Sequence, residues 1–411
     1  MPDVTIAILG TLDTKEQELS FVKERIESLG AGALLIDCGV MSDPAITPDI
    51  DSREIARRGG STLAALREAE DRGEAVRVMA EGAREALLEL TESGRVHGAV
   101  AAGGSGNTWI AANAMQRLPV GFPKLIVSTM ASGDVSQYVG ISDITMMYSV
   151  GDIEGLNQLT TTVLNNAAGA IVGMARMARP GLETKPTIAI SMFGVTTPAV
   201  KAVRGQLEAG GFEVLVFHAT GTGGRAMENL VGQGLVQGVI DLTTTELADE
   251  VVGGVLSAGP ERLEAAVRAN VPQVIAPGAI DMVNFGPTAT VPARFSERNL
   301  YVHNPQVTLM RTTPDENVQI AELMARNLAG ADPELVTVVL PTQGVSMIDR
   351  PTAAFYDPAA DRAFRDTLQA RLEGRLPVVE VEAHINDEVF AAVVVERFLD
   401  NWERHRQSAR A

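Results

Sequence analysis

Cysteine is almost missing from this sequence: its 411 residues include only Cys38. That excludes an intrachain disulfide and any metal cluster built on several cysteines. Aromatic residues are scarce at 4 %, too few for a platform on which bases stack. Positive charge is short as well. Thirty-four Lys and Arg stand against 52 Asp and Glu, a net charge of -18, and no basic stripe runs along the chain, so a nucleic-acid footprint is absent. No apolar stretch approaches the ~20 residues that cross a bilayer. The start, MPDVTIAILG, reaches an apolar run within three residues, without the charged start, long apolar core and cleavage site of a secretory signal. The expectation is a soluble, acidic, cytoplasmic protein with no nucleic-acid or membrane partner.

What the sequence does have is a 45 % apolar fraction, cut into short runs separated by amphipathic segments. The runs TIAIL (5–9), ALLID (33–37), GAVAA (98–102) and KLIVS (124–128) read as strands. Leu19, Val22, Ile26 and Leu29 fall at helical spacing between the first two, and Met79, Ala83, Leu87 and Leu90 share a face in 74–92. Strand, helix, strand in this rhythm predicts a parallel sheet covered on both faces.

The plan repeats. VTIAILG (4–10) pairs with PTIAISM (186–192), ESLGAGALLIDCG (27–39) with EAGGFEVLVFHATG (208–221), RVHGAVAAGGSGNT (95–108) with LVQGVIDLTTTE (235–246), and FPKLIVSTMASGD (122–134) with VPQVIAPGAIDM (271–282). Four blocks in one order predict two Rossmann-like α/β subdomains from a duplicated unit. They are expected at 1–180 and 181–411, joined by a long helix over 152–181 that stops at Pro180-Gly181. The first copy carries an extra acidic piece over about 41–73, read as a lid or a dimer arm. The tail adds ELVTVVLPTQGVSMID and PVVEVEAHI, two further strands for the second sheet, and a last helix from about Asp387.

In open parallel sheets ligands bind beyond the carboxyl ends of the strands. In the first copy the loop GGSGNT, Gly103, Gly104, Ser105, Gly106, Asn107 and Thr108, runs straight into a helix. Its glycines permit close backbone approach, and free N–H groups at the helix start attract an anion. A tight turn capped by Ser105 is the alternative. Gly10, Thr11, Asp13, Thr14 and Lys15 form a second strand–helix loop, in which Lys15 can meet phosphate or Asp13 can serve as a cap. Asp37 ends the second strand, where a carboxylate can hold ribose hydroxyls or cap a loop. Ser128, Thr129, Ser132 and Gly133 complete the rim. Together these loops point to a nucleotide phosphate.

The second copy has a different rim. His218, Glu246, Asp281 and His303 stand after successive apolar runs. If they share one cleft, two imidazoles and two carboxylates suit a divalent metal or general acid–base work. The other reading is that each is a hydrogen-bonded structural group. ATGTGGRAM (219–227) again sets glycines before a helix, so a second anion could sit there. Neither a nucleophile elbow nor H-E-x-x-H occurs in a fitting context.

GTLDTKEQEL, AGGSGNT, PKLIVSTMASGDVSQYVGISDITMMYSVGDI, MFGVTTPAV, VFHATGTGGRAMENL and DLTTTELADE resemble an uncharacterised family of bacterial and plant proteins. That family includes the N-terminal ATP-binding domain of the tomato mosaic virus resistance protein, an inhibitor of viral RNA replication. The resemblance runs from Val4 to about Asp357, and Asn107 stands where many relatives carry a third glycine. It implies two α/β subdomains, ATP as ligand and a homodimer or larger homo-oligomer; Mg²⁺ or another divalent metal is expected with the substrate in the second cleft. Three functions remain open. The chain is an ATP-binding enzyme of small-molecule metabolism with an unknown small-molecule substrate in the second cleft, a nucleotide-sensing dimer without turnover, or a metal-dependent lyase or hydrolase with a regulatory nucleotide.

Overall fold

A computed structural model of the chain describes residues 3–177 and 185–408. It divides into two compact units, 1–181 and 182–411. The first runs β1 (Thr5–Gly10), α1 (Leu12–Ser28), β2 (Gly32–Asp37), α2 (Ser52–Arg58), α3 (Leu63–Ala69) and α4 (Arg72–Glu92). It continues with β3 (Gly98–Gly103), α5 (Ser105–Met115), β4 (Lys124–Ser128), α6 (Ser136–Val139), β5 (Thr145–Tyr148) and α7 (Gln158–Arg176). Its five strands are all parallel, in the order β2-β1-β3-β4-β5. β3 is buried at every position, the mark of a strand covered on both faces.

Helical spacing accounts for the cover. Leu19, Val22 and Ile26 of α1 are buried on one face of the sheet with Leu164, Ala168 and Ile171 of α7. Met79, Ala83 and Leu87 of α4 are buried on the other with Ile110 and Ala114 of α5. The long helix predicted between the copies is thus α7, and it packs on α1 and β3 of its own unit. An asparagine, Asn157, starts it in a reciprocal cap with Thr160. The expected stop at Pro180-Gly181 lies outside the described residues. In the extra piece, α2 lies so close to α4 that a Cβ on Gly82 would stand 1.8 Å from the Ile55 carbonyl oxygen.

The second unit opens with β6 (Thr187–Met192), α8 (Thr197–Ala209), β7 (Glu213–His218), α9 (Thr222–Gly232), β8 (Gly238–Thr243), α10 (Thr245–Val252) and α11 (Glu264–Ala269). Next come β9 (Gln273–Gly278), β10 (Met282–Phe285), β11 (Leu300–Asn304), β12 (Val307–Arg311) and α12 (Pro314–Asn327). It closes with β13 (Val336–Pro341), α13 (Pro358–Leu372), β14 (Val378–Val381) and α14 (Glu388–Ser408). Its parallel sheet has the order β7-β6-β8-β9-β13-β14, so the first four strands of both units share one arrangement. The register repeats too. Thr5–Gly10 lies opposite Gly32–Asp37, and Thr187–Met192 opposite Glu213–His218, which makes Asp37 and His218 equivalent positions. The two tail stretches are β13 and β14, which extend the second parallel sheet beyond β9, as expected.

One element departs from the reading of the sequence. β10, β12 and β11 form a separate antiparallel sheet, inserted after β9. Pro305 and its neighbours turn the chain directly from β11 into β12, so His303 sits in a hairpin and not at a carboxyl end of the parallel sheet. Among the described residues no helix is long and apolar enough to cross a membrane.

Candidate functional site

In the first unit the strand order reverses between β1 and β3, and a crevice opens at that point. The loops that follow these two strands both enter it. α5 begins at Ser105 with Gly104 as its N-cap and no side-chain cap, so Ser105 does not close the turn. The first N–H groups of α5 are therefore left to a ligand. Other groups hold the loop open. Asn107 Nδ2 donates to the Ala102 carbonyl at 2.8 Å, and Thr108 Oγ1 donates to the Gly104 carbonyl at 2.8 Å. Asn107 fills the space above Gly103, where a Cβ would lie 2.7 Å from its own Cβ.

The β1 loop adds the second helix start. Thr11 caps α1 without a side-chain bond, and its hydroxyl meets that of Thr14 at 2.9 Å. Asp13 fastens the extra piece: Oδ2 accepts from the N–H groups of Val40 and Met41 at 2.9 and 2.8 Å. Its Oδ1 is buried with no hydrogen-bond partner. Lys15 interrupts α1 with φ -131° and ψ 27°.

These loops and the extra piece enclose one cavity of about 840 Å³, the size of a cofactor site. Asp13, Thr14, Lys15 and residues 104–107 line one side. Val40, Leu66, Val76, Met79 and Ile110 give it an apolar wall. The piece over 41–73 is thus a wall of the cavity. It also delivers a cation that sequence reasoning missed. Asp71 caps α4, accepting from the N–H groups of Gly73 and Glu74, and this sets Arg72 at the first position of the helix. Its Nη2 lies 3.8 Å from where a Cβ of Gly106 would stand. Among the described residues neither Lys15 nor Arg72 makes a side-chain hydrogen bond or ion pair. Arg67 also lines the cavity, yet the Val40 carbonyl and Asp43 already hold it.

Other rim residues have structural work. Asp37 is fully buried, and its Oδ1 accepts from the N–H groups of Leu12 and Gly39 at 3.1 and 2.8 Å. Burial pushes its carboxyl above the usual range. It stays behind the wall of the cavity as a staple between loops. Ser128 meets the Thr108 hydroxyl at 2.6 Å and accepts from the Met130 N–H, while Thr129, Ser132 and Gly133 form the short turn after β4 and are not among the lining residues, although Thr129 Oγ1 stands 3.9 Å from where a Cβ of Gly104 would be.

In the second unit the four predicted residues are separately engaged. Glu246 is fully buried. Its Oε1 accepts from the N–H groups of Gly221 and Gly224 at 2.7 and 3.1 Å, and its Oε2 from Arg262 Nε at 2.7 Å. The glycine-rich turn before α9 does bind an anion, and that anion is Glu246. A Cβ on Gly224 would lie 2.2 Å from Glu246 Oε2, so glycine is required there. Arg262 is 1 % exposed and also pairs with Asp241 and Glu228. Asp281 accepts from the Ser346 hydroxyl at 2.7 Å, and burial pushes its carboxyl up to about 6. His218 and His303 are exposed. No hydrogen bond or ion pair joins any two of the four among the described residues, and no group of three or more His, Cys, Asp or Glu there is placed to hold a metal.

Two family models cover the chain. Residues 4–180 match the N-terminal domain of an uncharacterised protein family, UPF0261, and residues 185–402 match its C-terminal domain. A UPF0261 protein of Clostridium tetani is 48 % identical over 401 residues, covering 97 % of this chain and 99 % of the relative. A UPF0261 protein of Rhizobium meliloti is 44 % identical over 399 residues, covering 96 % and 98 %. The ToMV resistance protein Tm-1(GCR237) of Solanum lycopersicum is 40 % identical over 417 residues, covering 95 % of this chain and 55 % of the tomato protein.

Proposed function

The chain belongs to the uncharacterised protein family UPF0261, and from that premise we propose that its first unit binds ATP. One observation carries the reading: α5 starts, without a side-chain cap, at a cavity that the loop into α1 also lines and that holds the unpaired cations Lys15 and Arg72. N–H groups at helix starts and neighbouring cations are what a polyphosphate needs. Val40, Met41 and Val76 offer an apolar face for a flat ring. Mg²⁺ keeps most of its ligands as water and phosphate oxygen, and the orphaned Oδ1 of Asp13 is the protein oxygen that fits it. A chain with one cysteine suits a reducing compartment, and the cytoplasm is the proposed location. Whether ATP is turned over or only sensed, the binding chemistry is the same.

Calorimetric titration of ATP into the intact chain tests this. Lys15→Ala and Arg72→Ala each remove one charge-assisted contact, worth about 1.5–3 kcal/mol, so each is expected to weaken binding by at least about tenfold. Gly104→Val is expected to block close approach. Equal affinity in all three variants would overturn the reading.

A homodimer is the second part of the proposal. β5 is an edge strand, and Tyr148, Val150, Leu156 and Leu159 beside it are 42–61 % exposed. An unpaired edge with an apolar fringe is a pairing surface. Light scattering on the intact chain, with and without ATP, is expected to report two chains; a single chain at micromolar concentration would refute it.

A further inference from the structure

The second unit holds a cavity of about 630 Å³ that none of the residues predicted from sequence lines. It opens where β13 and β14 end: Gln343 and Gly344 follow one strand, His384 and Asn386 the other, and the start of α13 closes it. Carboxyl-end loops of a parallel sheet are where such folds place ligands.

Its charge is unusual for this protein. In a chain of net charge -18, the lining includes Arg350, Arg362 and Arg365. Arg350 and Arg362 make no side-chain hydrogen bond or ion pair among the described residues. Arg365 pairs with the Glu380 carboxylate at 3.7 Å, and its Nε is buried without a hydrogen bond. The acids in the lining are already occupied. Asp387 accepts from the His384 backbone N–H at 2.8 Å. Asp361 accepts from Arg311 Nη2 at 2.7 Å, in a buried cluster with Asp349 and Asp281. Burial, with Asp349 beside it, pushes the Asp361 carboxyl up to about 7, which mutes its repulsion of an anion. The His384 ring is held as well: Nδ1 accepts from the Asn386 N–H at 3.1 Å, and Nε2 lies 2.9 Å from the Ser346 carbonyl, so the proton is on Nε2. The unsatisfied groups left are guanidinium donors.

We propose that this cavity is a binding site for a small molecule bearing a carboxylate or phosphate, held by Arg350, Arg362 and Arg365 against a wall that includes Tyr356. Guanidinium forks match both oxyanions in bidentate geometry. The exposed Tyr356 and Met347 and the ring of Pro351 give the rest of the molecule an apolar surface. The volume suits a metabolite of modest size. This site stands apart from the nucleotide reading, since every residue it uses belongs to the second unit.

The test is calorimetry on the intact chain with two probes, inorganic phosphate and succinate, which separate the phosphate source from the carboxylate source. At least one is expected to bind saturably at millimolar concentration. Arg362→Ala with Arg365→Ala is expected to weaken that binding by at least about tenfold, with thermal unfolding confirming the fold. Arg350→Ala, at an exposed and unpaired position, is a second variant that carries no folding cost. Arg268→Ala, a surface arginine paired with Glu264 and outside the lining, is the control, and it should leave the binding unchanged. Absence of binding by both probes, unchanged affinity in the cavity-arginine variants, or loss in Arg268→Ala would each overturn the proposal.

Discussion

Arg262→Met puts the buried centre of the second unit to the test. Arg262 is 1 % exposed, and it faces Glu246 and Asp241, 0 % and 1 % exposed, and the half-buried Glu228. Methionine keeps the length of the side chain and removes the charge. Two fully buried carboxylates then lose their counter-ion, and removing one member of a buried pair costs about 3–5 kcal/mol. In a unit of this size each kcal/mol shifts Tm by about 2–4 °C, so the expected fall is about 6–20 °C. Thermal and urea unfolding at neutral pH measure it. A second signature separates charge from lost packing. Asp241→Asn with Glu246→Gln in the same chain should recover most of the deficit. A loss below about 1 kcal/mol, or a deficit that the compensating changes leave intact, would refute the assignment of Glu246 as a structural anion.

Three further outcomes follow from the same structure. Burial pushes the Asp249 carboxyl from the usual 3.8 up to about 7. The folded state therefore keeps a proton that the unfolded chain releases, and this contribution is full below about pH 4 and lost as pH rises through about 7; Asp249→Asn is expected to flatten the fall of Tm over that window, and an unchanged slope would contradict it. Gly224→Ala drives a Cβ to 2.2 Å from Glu246 Oε2 and should cost about 1–3 kcal/mol, read by urea unfolding. Val150 is β-branched, 61 % exposed and held at φ 65°, so Val150→Asn should raise stability by about 1 kcal/mol, since asparagine tolerates this conformation; a destabilised variant would count against the strain.

Much of the framework was legible because it rests on one-dimensional patterns. Short apolar runs and helical spacing marked β1 to β4 and their helices, and the order of four matching blocks anticipated the shared strand order of the two sheets. The loops of Lys15 and Gly104 could be grouped because both follow strands of one parallel sheet; that the strand order reverses between them only the fold displays. Arg72 escaped notice because its position depends on the Asp71 cap and on the packing of α2 against α4, and "EDRGE" reads only as a turn. The quartet failed to gather for a related reason. A strand end fixes where a residue sits, not where its side chain turns. Glu246 turns inward because Arg262 waits there, in an irregular segment with no periodicity to flag it. His303 follows an apolar run, as a strand end would, but the run belongs to a hairpin whose pairing is set by β10 and β12. The arginine cavity draws on β13, α13 and β14 at once, a convergence that no local window displays.

The central claim, that the first unit is a nucleotide site, meets its most direct test in a crystal structure of the intact chain grown with ATP and Mg²⁺. The phosphates should lie against the N–H groups of Ser105, Gly106 and Asn107, within reach of Lys15 and Arg72, with the ring on the wall that includes Val40 and Val76. ATP seated anywhere else on the chain, with this cavity filled by solvent alone, would contradict it.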